Sequence, residues 1–78
     1  MSTANSIKIR ETLVEVENAL VEKGYKASDQ ICGYLISGDP TYISSYKGAR
    51  EKIMQFERSE IISEVLNFFF EKEESIYF

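Results

Sequence analysis

The sequence predicts an all-α protein, a compact bundle of about four to five helices completed by homodimerisation. Three observations carry this. Apolar residues recur at helical spacing along most of the chain. Glycine and proline fall between those segments and mark their ends. Five Tyr and five Phe crowd into only 78 residues. A chain of this length buries roughly 60% of its unfolded surface, so one copy has little interior for so many rings. A two-fold partner would supply the missing cover.

The first helix is expected from Ile7. Ile9, Leu13, Val16 and Leu20 repeat at spacings of four, three and four, and Val14 and Val21 widen the stripe. Gly24 follows, where a left-handed cap is least costly for glycine. Ser28 or Asp29 is placed to cap a second helix carrying Ile31, Cys32, Leu35 and Ile36. Gly33 lies inside that helix at a cost of roughly 1 kcal/mol against alanine, which fits a position where another part of the chain approaches closely. Ser37-Gly38-Asp39-Pro40 is the strongest punctuation: Gly38 ends a helix, Asp39 caps the next turn, and Pro40 takes its first position. Two further helices are expected near 47–56 and 59–72, with Ala49, Ile53 and Phe56 on one stripe and Ile61, Val65, Phe68 and Phe69 on the other. The domain organisation is therefore a flexible tail at 1–6, one helical domain at 7–72 and a C-terminal tail at 73–78.

Composition excludes several classes of function. The single cysteine, Cys32, rules out an internal disulfide and any multi-cysteine zinc site. It sits among apolar residues and reads as an inert buried thiol. Histidine is absent, so no Ser-His or Cys-His nucleophile is possible. Glu57, Glu60 and Glu64 share a helix face at spacings three and four, a pattern that is usually only a solvated surface, so no metal and no cofactor are expected. The protein is read as a non-enzyme. No apolar run approaches the roughly 18 residues of a membrane span, and MSTANSIKIRETL lacks the apolar core of a secretory signal. A cytoplasmic protein with no membrane insertion is expected.

The formal net charge of −4 is concentrated in residues 57–78, which hold six acids and two bases. Lys47, Arg50 and Lys52, with Arg58 beyond them, form the one locally basic stretch, a candidate anion-docking patch. An alternative reading, a small helical nucleic-acid-binding transcription factor, would use this 47–58 face. The acidic balance and the interleaved Glu51 and Glu57 oppose it, so no nucleic-acid partner is expected. Phe68-Phe69-Phe70 points three ways around a helix, and one neighbouring face cannot bury all three rings. Ile61, Leu66, Phe69 and Phe70 are the candidate dimer interface.

The middle of the chain carries a family resemblance. Glu22-Lys23-Gly24-Tyr25, the block from Asp29 to Ile43 that contains Gly33-Tyr34-Leu35-Ile36-Ser37-Gly38-Asp39-Pro40-Thr41-Tyr42-Ile43, then Ala49-Arg50 and Glu57-Arg58-Ser59-Glu60-Ile61, resemble the IreB family. These are small regulatory phosphoproteins of Gram-positive bacteria, and the similarity spans roughly residues 10–72. The resemblance implies a helical homodimer without enzymatic activity. It further implies a substrate of a membrane serine/threonine kinase acting in cell-envelope stress and antibiotic-tolerance signalling, with an unidentified protein partner downstream. The family's phosphorylated residues are threonines of the N-terminal tail. Thr3 is the tail threonine here, with Ser2 and Ser6 as weaker candidates. The sequence departs from the family pattern in a shorter leader, in Ser59 where aspartate is usual, and in Lys26-Ala27-Ser28 in place of an Asn-Pro link.

Overall fold

The computed structural model describes residues 4–77. Four α-helices follow one another: α1 (Ala4–Glu22), α2 (Ala27–Ser37), α3 (Ala49–Ile53) and α4 (Arg58–Tyr77). Two 3₁₀ turns, Pro40–Tyr42 and Tyr46–Gly48, connect α2 to α3. The described residues contain no strand, and the fold is all-α as expected. The molecule measures 40 × 23 × 21 Å.

Helix α1 begins three residues before the expected Ile7, so the polar segment 1–6 is not wholly a tail: Asn5 and Ser6 are helical. The reason is tertiary. Asn5 Nδ2 donates to Glu60 Oε2 at 2.7 Å, and the Ser6 hydroxyl, buried, hydrogen-bonds Glu64. Ile9, Val16, Ala19 and Leu20 face inward, whereas Val14 and Val21 stay exposed and do not widen the buried stripe. The helix ends in a paired closing motif around Gly24 (φ +89): the Tyr25 amide donates to Leu20 O and the Gly24 amide to Val21 O, both at 2.9 Å.

Helix α2 starts before the expected cap. Lys26 occupies the capping position without a side-chain bond, because Ala27 is buried in the core and draws the first turn in with it. Gly38 ends α2 in the left-handed region (φ +78), its amide donating to Tyr34 O at 2.7 Å. The Arg58 guanidinium lies over Gly38 and donates to Leu35 O at 3.1 Å, satisfying a free carbonyl at the negative end of the helix. The turn that follows is built by Asp39, whose carboxylate accepts from the Thr41 amide (3.0 Å) and hydroxyl (2.7 Å), with Pro40 at its first position. Those two bonds, hydroxyl first, hold the Asp39 carboxyl below its usual range. The Tyr42 ring then folds back onto Gly33, which is the close approach that the glycine admits.

The helix expected over 47–56 is only Ala49–Ile53. Lys47 (φ +51) and Gly48 (φ +73) both take left-handed backbone, which a helix cannot include, and the helix therefore begins after them. The expected break before the last helix is present, and Glu60 Oε1 accepts the Glu57 amide at 3.1 Å to close the start of α4. Helix α4 then runs to Tyr77, through most of the segment expected as a C-terminal tail. The core gathers Ile9, Val16, Leu20, Tyr34, Ile43, Ile53 and Ile61 with three alanines, and α1 packs against α2, α3 and α4.

Candidate functional site

Helix α4 has two unlike faces. Ile61 (0% exposed) and Glu64 (7%) turn inward against α1, while Ile62, Val65, Leu66, Phe69 and Phe70 lie outward and exposed. The spacing explains the division: residues three or four apart share a helix face, so 61 and 64 lie together and 62, 65, 66 and 69 lie together. Placing Glu64 inward requires charge compensation. Arg10 supplies it: its Nε donates to Glu64 Oε2, and its terminal nitrogen reaches Glu71 at 3.3 Å. Hydrogen bonds from Ser6 and then Arg10 hold the Glu64 carboxyl below its usual range, and Glu64 raises the Arg10 guanidinium in turn. The same guanidinium stacks 5.2 Å over the Phe68 ring.

The outward face of α4 forms one wall of an open apolar groove of ≈ 720 Å³ between α1, α2 and α4. Leu13 and Val14 line it from α1, Ile31, Cys32, Leu35 and Ile36 from α2, and Ile62 and Val65 from α4. Ile36 stands on its lip at 79% exposure. A second hollow of ≈ 240 Å³ shares Leu13, Val14 and Val65 and extends the apolar surface to Phe68. Beyond it, Phe69 and Phe70 meet edge to face with ring centres 5.7 Å apart, each ring 54% exposed. Groove and aromatic ridge together make one surface built for contact rather than for chemistry.

Of the four candidate interface residues, Leu66, Phe69 and Phe70 are on this exposed surface. Ile61 is not: it is fully buried in the protomer's own core, because it shares the α1-facing side with Glu64. Cys32 is exposed in the groove rather than buried, because α2 turns Tyr34 inward and leaves Cys32 and Ile36 outside. Lys47, Arg50 and Lys52 do not converge into a free anion dock. Lys47 pairs with Glu22 at 2.8 Å, Lys52 with Glu15 at 3.2 Å, and Arg50 Nε donates to Ile43 O at 2.9 Å. Acids on α1 have taken up the positive charge that the local sequence presented as available. Glu60 and Glu64 likewise bond across to α1, and among the described residues no group of three or more acidic, cysteine or histidine side chains is arranged to hold a metal ion. No helix among the described residues is long and apolar enough to cross a membrane. Thr3 lies outside the described residues. The groove itself went unnoticed in the sequence; its available signal was the surplus of Val14, Ile36 and Ile62 over what each helix's buried stripe needs.

Comparison with known proteins bears on the same segment. The family model described as "IreB regulatory phosphoprotein" matches residues 1–71. A UPF0297 protein of Ruminiclostridium cellulolyticum is 52% identical over 62 residues, covering 80% of this chain and 70% of that protein. The match takes in α1 to α3, the Asp39 turn and the two-faced first half of α4, and the chain belongs to the IreB family of regulatory phosphoproteins.

Proposed function

We propose that this protein is a non-enzymatic regulatory homodimer and a substrate of a membrane serine/threonine kinase, acting in cell-envelope stress and antibiotic-tolerance signalling in the cytoplasm. The observation that carries the reading is the family match through residues 1–71, whose description names a regulatory phosphoprotein. The exposed groove and ridge support it physically, since a surface of this kind serves macromolecular contact. Thr3 is the proposed phosphoacceptor. It directly precedes Ala4, the first residue of α1, where a phosphate would add about −1.5 to −2 charges at the helix end that favours anions. Ser6 is the poorer acceptor, because its hydroxyl is buried and bonded to Glu64.

Tandem mass spectrometry of the protein isolated from its own cells tests the kinase reading. Substantial phosphate on Thr3 is expected. Its absence from residues 2–12, in growth and under envelope stress alike, would overturn that reading. Light scattering tests the dimer: a stable monomer at tens of micromolar would remove it.

A further inference from the structure

We infer that the α1/α2/α4 groove is the receptor for the aromatic ridge of a second copy, so that each protomer inserts Phe69 and Phe70 of α4 into the groove of the other. The inference rests on the dimer proposed above and specifies how its two halves engage.

The ridge cannot fill its own groove. Ile62 and Val65 form one wall of that groove, and Phe69 lies four residues beyond Val65 on the same rigid helix, about 6 Å further along the axis. A ridge and a complementary hollow on one chain, unable to meet within it, satisfy each other in a second copy. Because both copies offer both features, a two-fold axis closes the arrangement and leaves no open end for a fibre.

The chemistry favours this occupant over a small ligand. Glu17 is the one charged side chain lining the groove, and no set of polar groups converges there to orient a small molecule. The area points the same way. A phenyl side chain buries roughly 150–250 Å², and about half of each of Phe68, Phe69 and Phe70 is exposed. These rings therefore offer on the order of 300 Å². The exposed aliphatic side chains of Val14, Ile36, Ile62, Val65 and Leu66 extend the face toward the roughly 800 Å² per partner typical of a stable pair.

The test uses the unmodified full chain. Carbon-13-labelled and unlabelled protein are mixed, and isotope-filtered nuclear Overhauser spectra report contacts between protomers. Cross-peaks from the Ile31, Leu35 or Ile36 methyls of one protomer to the Phe69 or Phe70 ring protons of the other are expected. A dimer by light scattering whose intermolecular peaks join only α4 to α4 would overturn the groove assignment and leave the dimer standing. A monomer would overturn both. A second measurement uses I36E, a substitution at a lip position that the protomer's own core does not need. Dimer affinity is expected to fall by roughly 30-fold or more, with unchanged circular dichroism. Unaltered affinity would equally overturn the assignment.

Discussion

Gly33 and Tyr42 form a pair whose energetics can be worked out before measurement. In the interior of an exposed helix, Gly→Ala stabilises by about 0.5–1 kcal/mol through reduced backbone entropy. At Gly33 the added methyl would lie 2.5 Å from Tyr42 Cδ1 and 3.0 Å from Cγ and Cε1. Carbon atoms normally settle at about 3.5–4.0 Å, so the ring would have to retreat by roughly 1 Å. Because Cγ, the root of the ring, is among the close atoms, turning the ring in its plane does not relieve the clash. Overpacking of this kind costs about 1–3 kcal/mol. The ceiling is the loss of the ring contact itself, since half-exposed Tyr42 can always swing into solvent.

G33A should therefore be neutral to destabilising by about 2 kcal/mol in the natural background. In a Y42A background, where nothing opposes the methyl, it should stabilise by about 0.5–1 kcal/mol. The double-mutant cycle then shows a coupling on the order of 1–2 kcal/mol. Urea unfolding followed by far-UV circular dichroism, at one fixed protein concentration so that any association equilibrium is held constant, measures all four corners. If G33A stabilises both backgrounds equally, the ring does not rest on that helix face and the reasoning fails.

Three further outcomes are expected. G24A should cost only backbone strain, about 1 kcal/mol, because φ is +89 and nothing lies within 4 Å; G38A should cost more, since its methyl also meets the Arg58 guanidinium at 2.9 Å and disturbs the bond to Leu35 O. Equal losses in thermal melts would show that Arg58 adds nothing there. The lowered carboxyls of Glu22, Asp39 and Glu64 bind fewer protons folded than unfolded, so their stabilisation is complete above the ordinary carboxylate value of about 4 and is lost as pH falls through the lower folded values. With no histidine in the chain, the melting temperature should be level between about pH 5.5 and 7 and then fall in acid, less steeply for E64Q; parallel curves for the two proteins would refute the role given to Glu64. F69A should reduce the concentration dependence of the melting temperature while leaving the protomer nearly as stable, because its ring is exposed there; a loss of 3–5 kcal/mol, the usual toll of a buried ring, would place Phe69 inside the core instead.

Helix ends were readable wherever short-range chemistry sets them. Gly24, Gly38 and the Asp39-Pro40 turn act through bonds spanning only a few residues, and each behaves in the structure as its residue type requires. The early start of α1 was not readable, because Asn5 and Ser6 are held by Glu60 and Glu64, partners more than fifty residues away. The same distance problem hid the state of the basic patch. Lys47 and Lys52 look unpaired in their own segment, and only the packing of α3 against α1 brings Glu22 and Glu15 to them. For the candidate surface, the surplus of aromatics pointed to α4, but Ile61 was assigned to the wrong side. Both faces of that helix are apolar enough to be buried, and the choice between them is made by Arg10 on another helix.

That choice carries the strongest physical argument about what α4 is for. Burying a carboxylate costs several kcal/mol unless a cation and hydrogen bonds compensate it. Apolar surface left in water forgoes about 25 cal/mol per Å². A protomer built to stand alone would gain on both counts by turning α4 so that Val65, Leu66 and Phe69 met α1 and Glu64 met solvent. The protein does the reverse, spending Ser6 and Arg10 to hold Glu64 inward and leaving the more apolar face outside. Its inner face is nonetheless specific: Ile61 fills the core, and the Arg10 guanidinium ties Glu64, Glu71 and Phe68 into one clamp. The clamp fixes the rotation of α4 about its axis and thereby aims Phe69 and Phe70 away from the protomer. Loosening it with R10A should lower stability and weaken self-association together, whereas I36E should weaken self-association alone. Two variants that separated in the opposite sense would mean that the orientation of α4 does not govern the outer surface.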